Sequence, residues 1–287
     1  MRNPGAAETV KKIALACGAS AAGIARAADL DEFRRFSEAI TIIPDGLLYL
    51  KRDPLKRKSI KKWHAEARSV LICAFRYWEP GLDYAAELAK AGEPAAFLAA
   101  SGREANQPGL VSAPGAKISR YALCRDYHLT VKEKMAAMLE GIRKEFQSAE
   151  GKIFCDTSPV MEKELGRLAG LGFRGKNTLL LSRELGSYFF LGGLALNLDL
   201  SPDAPTADSC GACDQCVKAC PTRALKGGRL DAGLCISYWT TQAKWRIPAE
   251  IYERTKGFAY GCDLCQEACP QNKAPGSVAP GFETLKK

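Results

Sequence analysis

Histidine is nearly missing from this chain, with His64 and His128 the only two among 287 residues. A cofactor ligated mainly by imidazole is therefore disfavoured. Long hydrophobic runs are missing too: the longest, "SYFFLGGLALNLDL", is too short and too glycine-rich to span a bilayer. The first twenty residues, "MRNPGAAETVKKIALACGAS", contain neither an apolar signal core nor a twin arginine. These absences set the expectation of a soluble cytoplasmic protein with no membrane partner. No long internal repeat is visible. Disorder is not the default reading either, because 47% of the residues are hydrophobic and a core can form.

Cysteine, by contrast, is abundant. Twelve are present, and eight of them lie between Cys210 and Cys269; Cys17, Cys73, Cys124 and Cys155 are scattered. A secreted disulfide scaffold would spread its thiols more evenly, so the clustered ones read as metal ligands in a reducing compartment. The net charge is +9, which favours an anionic partner such as nucleic acid or a phosphorylated ligand. Within it, "KRDPLKRKSIKKW" (51–63) carries seven basic residues and one acid. Two readings fit that run: a solvated surface, or a patch that contacts phosphate.

Helix and strand patterns alternate over the first 200 residues. "AAETVKKIALACGA" has helical apolar spacing, "SAAGIARA" reads as a short strand, "LDEFRRFSEAI" as helix and "SVLICAFRYW" as a buried strand. Residues 81–118, rich in Ala, Gly and Pro, read as a partly helical surface insertion. A long amphipathic helix is expected from Tyr121 to about Ala149, then a strand, "GKIFCD", ending at Asp156. In "SPVMEKELGRLAGLG", Ser158 is placed to cap a helix with Pro159 at its first position. "NTLLLS" and "SYFFLGGLALNL" read as two further strands. The expected architecture is an α/β (α+β) domain over 1–200, followed through the link "DLSPDAPTADS" by a cysteine domain over 201–287.

Cys210, Cys213, Cys216 and Cys220 followed by Pro221 match the bacterial ferredoxin run C-x2-C-x2-C-x3-C-P. Three closely spaced thiolates can face one cubane, and the fourth ligates the other cluster as the chain turns away. "CDLCQEACP" supplies Cys262, Cys265, Cys269 and Pro270, one cysteine short, and Cys235 is the remaining nearby candidate. The crossing rule assigns Cys210, Cys213, Cys216 and Cys269 to one 4Fe–4S cluster, and Cys220, Cys235, Cys262 and Cys265 to a second. Zinc is the competing ligand for such thiolates, but zinc ribbons do not normally repeat this spacing with its proline. Two neighbouring clusters pass electrons, and the residues before them are the natural place for a chemical site.

"ISRYALCRDYH", "DTSPVMEKELGRLAGLGFRGKNTLLL", "GSYFFLG", "CGACDQCVKACPTRAL", "LDAGLCISYWT" and "GCDLCQEACPQN", in this order and spacing, resemble the epoxyqueuosine reductase family. The likeness is dense over 118–272 and thinner over 1–80. It implies base-off cobalamin held between the α/β domain and a ferredoxin-like double 4Fe–4S domain. It also implies reduction of epoxyqueuosine in tRNA to queuosine, the last step of queuosine biosynthesis; an external electron donor such as flavodoxin or ferredoxin and a monomeric state are further expectations. The family's proton-donating aspartate matches Asp156; capping the next helix is the structural alternative. Lys176, Asn177, Thr178, Ser237, Lys244 and Asp263 match corrin-side positions. Glu162 and Lys163 fit an exposed helical charge pair as well as a site role, and Tyr121 and His128 a buried structural role as well as ligand contact. Neither histidine lies in the D-x-H-x-x-G context that places imidazole on cobalt in other cobalamin proteins. Two alternatives stay open: a cobalamin-dependent, dehalogenase-like reductase of a small organic substrate, and a non-enzymatic electron-transfer protein.

Overall fold

The computed structural model describes residues 4–273 and 275–285. In chain order its strands are β1 (Ala21–Arg26), β2 (Ser69–Arg76), β3 (Lys117–Ile118), β4 (Gly151–Phe154), β5 (Phe173–Arg174), β6 (Leu180–Leu181), β7 (Phe189–Leu196), β8 (Leu225–Lys226), β9 (Arg229–Leu230) and β10 (Phe258–Tyr260). Four of them form the main sheet, in the order β1-β2-β7-β4, with every pair antiparallel. All eight positions of β2 are buried, because helices cover both faces. Leu71, Cys73 and Phe75 point into one core with the helices Pro4–Ala16 and Tyr127–Glu145. Their neighbours Val70, Ile72 and Ala74 point into the other, against Leu165 and Ala169 around the helix Glu162–Leu168. This is the period-two alternation of a strand read out on both faces.

The pair "GG" in β7 is a packing requirement. A Cβ at Gly192 would lie 2.4 Å from Val131 Cγ1, and one at Gly193 2.2 Å from the Phe154 ring. Side chains there would push the long helix and Phe154 off the sheet. The long helix begins at Tyr127 rather than at Tyr121, because Asp126 caps it, accepting the His128 backbone N–H at 2.9 Å. The helix expected from Pro159 begins instead at Glu162 without a side-chain cap. Residues 155–160 are occupied by tight turns, Thr157 N–H to Cys155 O and Val160 N–H to Ser158 O. "NTLLLS" contributes only the two residues of β6. The 81–118 segment is partly helical, with helices Tyr84–Ala91, Pro94–Ala100 and Pro108–Val111. It is not merely superficial, since Phe97, Leu98, Leu110 and Val111 join the core.

In the cysteine region the helices Gln215–Ala219 and Leu264–Glu267 pack together. Residue 200 divides the chain in sequence more than in packing. β10 pairs in parallel with β3, and Ile236, Phe258 and Ala259 belong to the same core as β2. Past the cysteines, Ala279 N–H donates to Arg76 O, and Phe282, 1% exposed, lies against Phe75 and Phe190. Burying that ring contributes on the order of 2–3 kcal/mol. Among the described residues no helix is long and apolar enough to cross a membrane.

Candidate functional site

The eight clustered thiols lie close together. Burial, then the proximity of Cys269, Cys210 and Cys213, pushes the Cys216 thiol up, and Cys269 in turn neighbours Cys210 and Cys213. Burial likewise raises Cys235, beside Cys220, and Cys262, beside Cys265 and Cys235; Cys265 neighbours Cys235, Cys216 and Cys220. Cys216 and Cys265 thus bring the two expected sets side by side. A cavity of about 420 Å³ opens over Cys210, Cys213 and Cys269. Among the described residues no three His, Cys, Asp or Glu side chains converge tightly enough for one metal ion. Thiolates in the C-x2-C-x2-C-x3-C-P spacing are the donors that hold 4Fe–4S clusters.

Around Asp156 the polar groups converge. The residue ends the β4 segment in the left-handed region, φ 52°, a conformation costing about 1–2 kcal/mol for an L-residue and best tolerated by Asn and Asp. Glu162 pins it, accepting the Asp156 N–H through Oε1 at 2.5 Å. His128 Nε2 lies 3.1 Å from Asp156 Oδ2, and His128 Nδ1 lies 2.8 Å from Asp126 Oδ1. The Tyr127 hydroxyl also bonds Asp156, and its ring stacks on Phe190 of β7 at 4.3 Å and on His128 at 4.0 Å. Asp156 keeps 59% of its side-chain surface open, yet protein surrounds it closely enough to desolvate it. Lys163 is likewise exposed and hemmed in. Side chains at once exposed and closely surrounded mark a concave part of the surface, the cleft beside Asp156 and Lys163.

Hydrogen bonding from His128 holds the Asp156 carboxyl below its usual range, and the bond to Asp156 raises His128. The contact thus favours the carboxylate–imidazolium form of the pair. Burial, with the Asp156 charge next, pushes Glu162 up to about 8, so it retains its proton. The cleft thus stores one proton between Asp156 and His128 and another on Glu162. Asp156 does not cap the following helix, whose first residue, Glu162, lies six residues on.

The GKN loop joins the cleft to the first thiol set. Lys163 Nζ donates to Thr178 O at 3.1 Å, Lys176 N–H donates to Cys210 Sγ at 3.4 Å, and Lys176 Nζ donates to Gly211 O at 2.8 Å. Lys176 thus stands at the cluster edge. Asn177 is buried with its Nδ2 lacking a partner among the described residues, while its Oδ1 accepts Leu179 N–H. An orphaned amide donor here suits an amide-bearing ligand such as cobalamin, and the cleft beside Asp156 and Lys163 offers that ligand an entrance. Ser237, half-buried, directs its backbone N–H to the Cys235 sulfur. Lys244 is exposed on the loop after the helix Ile236–Thr241.

Asp263 departs from the corrin-side expectation. It is fully buried, accepting from Ser119 Oγ, Arg120 N–H and Arg120 Nη1. Its carboxylate pins the 119–120 turn to the cysteine region and presents no face to a ligand. Arg120 in turn lies over the rings of Trp78, Tyr84 and Tyr188. His128 proves to be part of the Asp156 network, and Tyr121 packs on Tyr127 and Tyr260. Asp126 and Tyr127 were missed, although both stand in the quoted "RDYH"; the spacing gives no sign that three consecutive residues serve one carboxylate.

Residues 57–157 match the family model "Epoxyqueuosine reductase QueG, DUF1730", and residues 209–272 match "4Fe-4S double cluster binding domain". The epoxyqueuosine reductase of Synechocystis sp. is 34% identical over 245 residues, covering 80% of this chain and 76% of that protein. That of Leadbetterella byssophila is 44% identical over 156 residues, 54% of this chain and 52% of the relative. The chain spans about half the length of several curated relatives that it matches. A crystal structure of epoxyqueuosine reductase with a tRNA-Tyr epoxyqueuosine-modified stem loop superposes with a TM-score of 0.74 at 27% identity, over 97% of this chain and 68% of that one. The reductive dehalogenase NpRdhA, 17% identical, shares the fold with a TM-score of 0.52, over 95% of this chain and 32% of its own.

Proposed function

The chain belongs to the epoxyqueuosine reductase family, and from that membership we propose that it reduces epoxyqueuosine carried on tRNA to queuosine. The observation that carries this reading is the proton-holding Asp156–His128 pair at that cleft, joined through Lys163, Thr178 and Lys176 to the Cys210 thiol set. Converting an epoxide to an alkene consumes two electrons and two protons and releases water. Cys210, Cys213, Cys216 and Cys269 would hold one 4Fe–4S cluster and Cys220, Cys235, Cys262 and Cys265 a second, and such clusters would supply the electrons singly. Base-off cobalamin, when bound between the cleft and the GKN loop, supplies the reducing centre that such chemistry needs.

The chain's own residues manage protons. Asp156 Oδ2, shared with His128 Nε2, presents a proton to the epoxide oxygen, which would otherwise leave as an alkoxide; general acid catalysis of this kind contributes about 10²–10⁴-fold. Asp126 holds the far side of the imidazole and keeps it charged. Glu162 accepts the Asp156 backbone N–H and fixes the turn that carries the acid. Tyr127, clamped on Phe190, fixes the carboxylate's orientation. Asn177 and Thr178 of the GKN loop would hold the cofactor, and the N–H groups of Lys176 and Ser237, directed at the Cys210 and Cys235 sulfurs, would tune the clusters those thiolates hold. Electrons enter from an external flavodoxin or ferredoxin, and the chain works as a cytoplasmic monomer.

Anaerobic turnover tests this. Reconstituted protein, cobalamin, a strong reductant and tRNA bearing epoxyqueuosine are incubated, and the digested nucleosides are read by mass spectrometry. Loss of one oxygen, only with cobalamin present, is expected. No conversion by protein with both clusters and cobalamin bound would overturn the tRNA substrate.

A further inference from the structure

Residues 44–63 form a strap beside the cleft that the chemistry above does not use. At one end Gly46 touches the cysteine region: a Cβ there would lie 2.5 Å from Gln242 O. At the other, Lys152 of β4 donates to Trp63 O at 3.2 Å and lies over its ring at 4.2 Å. Trp63 also meets Phe154, two residues before Asp156, edge-on with ring centroids 5.8 Å apart, and burial and then the Asp156 charge raise the Tyr49 hydroxyl between the two ends. The strap therefore runs from the 242–246 loop past the proposed acid to the sheet.

It buries little: Ser59 and Ile60 are its buried residues. The 3-10 turn Asp45–Lys51 and the helix Pro54–Lys58 have no buried residue. Leu48 and Tyr49 are each 46% exposed, and Trp245, on the adjoining loop between exposed Lys244 and Arg246, is 67% exposed. Residues 51–62 hold a net six of the chain's nine positive charges. Lys56 and Lys58 pair with Asp53 and Asp29, whereas Lys51, Arg52, Lys61 and Lys62 are exposed. The open depression of about 710 Å³ that Lys58 shares with Asp29, Asp31 and Glu38 carries the wrong sign for phosphate.

We propose that the 44–63 strap and the 242–246 loop form the surface that grips the phosphodiester backbone of the RNA stem loop beside Asp156. Lys51, Arg52, Lys61 and Lys62 contact phosphates, and Trp245 stacks on an unpaired base, since single-stranded loops are read by aromatic stacking. The inference rests on the tRNA reading above, and its test separates the two.

Cluster-loaded protein is titrated with a tRNA-Tyr anticodon stem loop by fluorescence anisotropy from 50 to 200 mM KCl. Joint Lys51→Ala, Arg52→Ala, Lys61→Ala and Lys62→Ala substitution should weaken binding at least about tenfold and reduce the log–log salt slope by about 3, at about 0.7–0.9 per lost phosphate contact. Arginine at the three lysine positions should keep both. Trp245→Ala should weaken binding about fivefold or more at unchanged slope. If the wild type binds no RNA, the tRNA reading itself fails and the surface with it. If it binds RNA and the quadruple variant binds equally well with the same slope, the surface is overturned while the reading stands. Strap-dependent binding to phosphatidylserine vesicles, with RNA binding indifferent to the strap, would likewise overturn it in favour of a lipid partner.

Discussion

The network around Asp156 and the strap at 44–63 border one cleft and handle charge in opposite ways. Around Asp156 every polar group has a partner inside the protein. Two carboxylates flank one imidazole, a tyrosine clamps the nearer carboxylate, and a protonated glutamate holds its backbone. Along the strap, Lys51, Arg52, Lys61 and Lys62 are exposed, on short turns that bury little beyond Ser59 and Ile60. The first arrangement suits groups that must hold a proton in a fixed place. The second suits charges that must meet a large anionic partner, where desolvation is deferred until binding. A residue substituted in the first region should change turnover or its pH dependence, and one in the second should change affinity and its salt dependence.

The largest effect is expected where both regions depend on electrons. Cys265→Ala removes a ligand of the second set, so iron per chain should fall to half and the spectrum of one cluster should vanish while turnover drops below detection. Full iron content in that variant would show that the two sets are wrongly drawn. Next is Asp156→Asn, which keeps shape but cannot pass a proton. Turnover should fall about 10²–10⁴-fold, with RNA affinity and cluster spectra unchanged. Loss of RNA affinity instead would erase the contrast between cleft and strap.

His128→Gln is smaller, on the order of tenfold, because Asp156 remains and only its proton supply is lost. The pH dependence gives the sharper reading. His128 is raised by its bond to Asp156, so the stability it contributes is complete below about 6.5, the unfolded value, and is lost as pH rises through the folded one. Asp156 is depressed, so its contribution is present above about 3.9 and lost as pH falls through its folded value. The ion pair is intact between the depressed carboxyl and the raised imidazole. Wild-type turnover should decline on the alkaline side of that window, and the Gln variant should lack this limb.

The legibility of the two regions differs for a physical reason. Cluster ligands are written in fixed spacings, because a cubane demands thiolates at set positions, and both sets could be drawn from Cys210 to Cys269. β2 was equally plain as an eight-residue apolar run. The helix after Asp156 was misplaced by three residues, since Ser158 and Pro159 carry a start signal that the left-handed turn at Asp156 overrides. Asp263 looked like a ligand residue because it adjoins Cys262; its burial against Arg120 is a tertiary contact across 143 positions. Tyr127 was invisible for the same reason, because its partner Asp156 arrives through sheet packing, and Asp126 because it joins the network only through His128. The basic run was noticed, but whether it was surface or site depended on where Gly46 and Trp63 attach it.

The smallest expected effect isolates Glu162. Its folded pKa of about 8 lies above the ordinary value of about 4.3. A raised carboxyl means that the folded chain binds more protons than the unfolded one between those two values, so stability falls as pH rises from about 4.3 to 8. Glu162→Gln keeps an oxygen to accept the Asp156 N–H and cannot ionise. The variant should therefore unfold at the wild-type temperature near pH 4 and at a higher temperature near pH 8, with turnover within a few-fold at neutral pH. Glu162→Ala, which removes the acceptor, should lose turnover at every pH because the left-handed Asp156 is no longer pinned. If Gln and Ala behave alike, the hydrogen bond does not hold the loop. If Gln abolishes turnover, the Glu162 proton is needed for more than storage, and the division of labour between Asp156 and Glu162 must be redrawn with Glu162 as a donor.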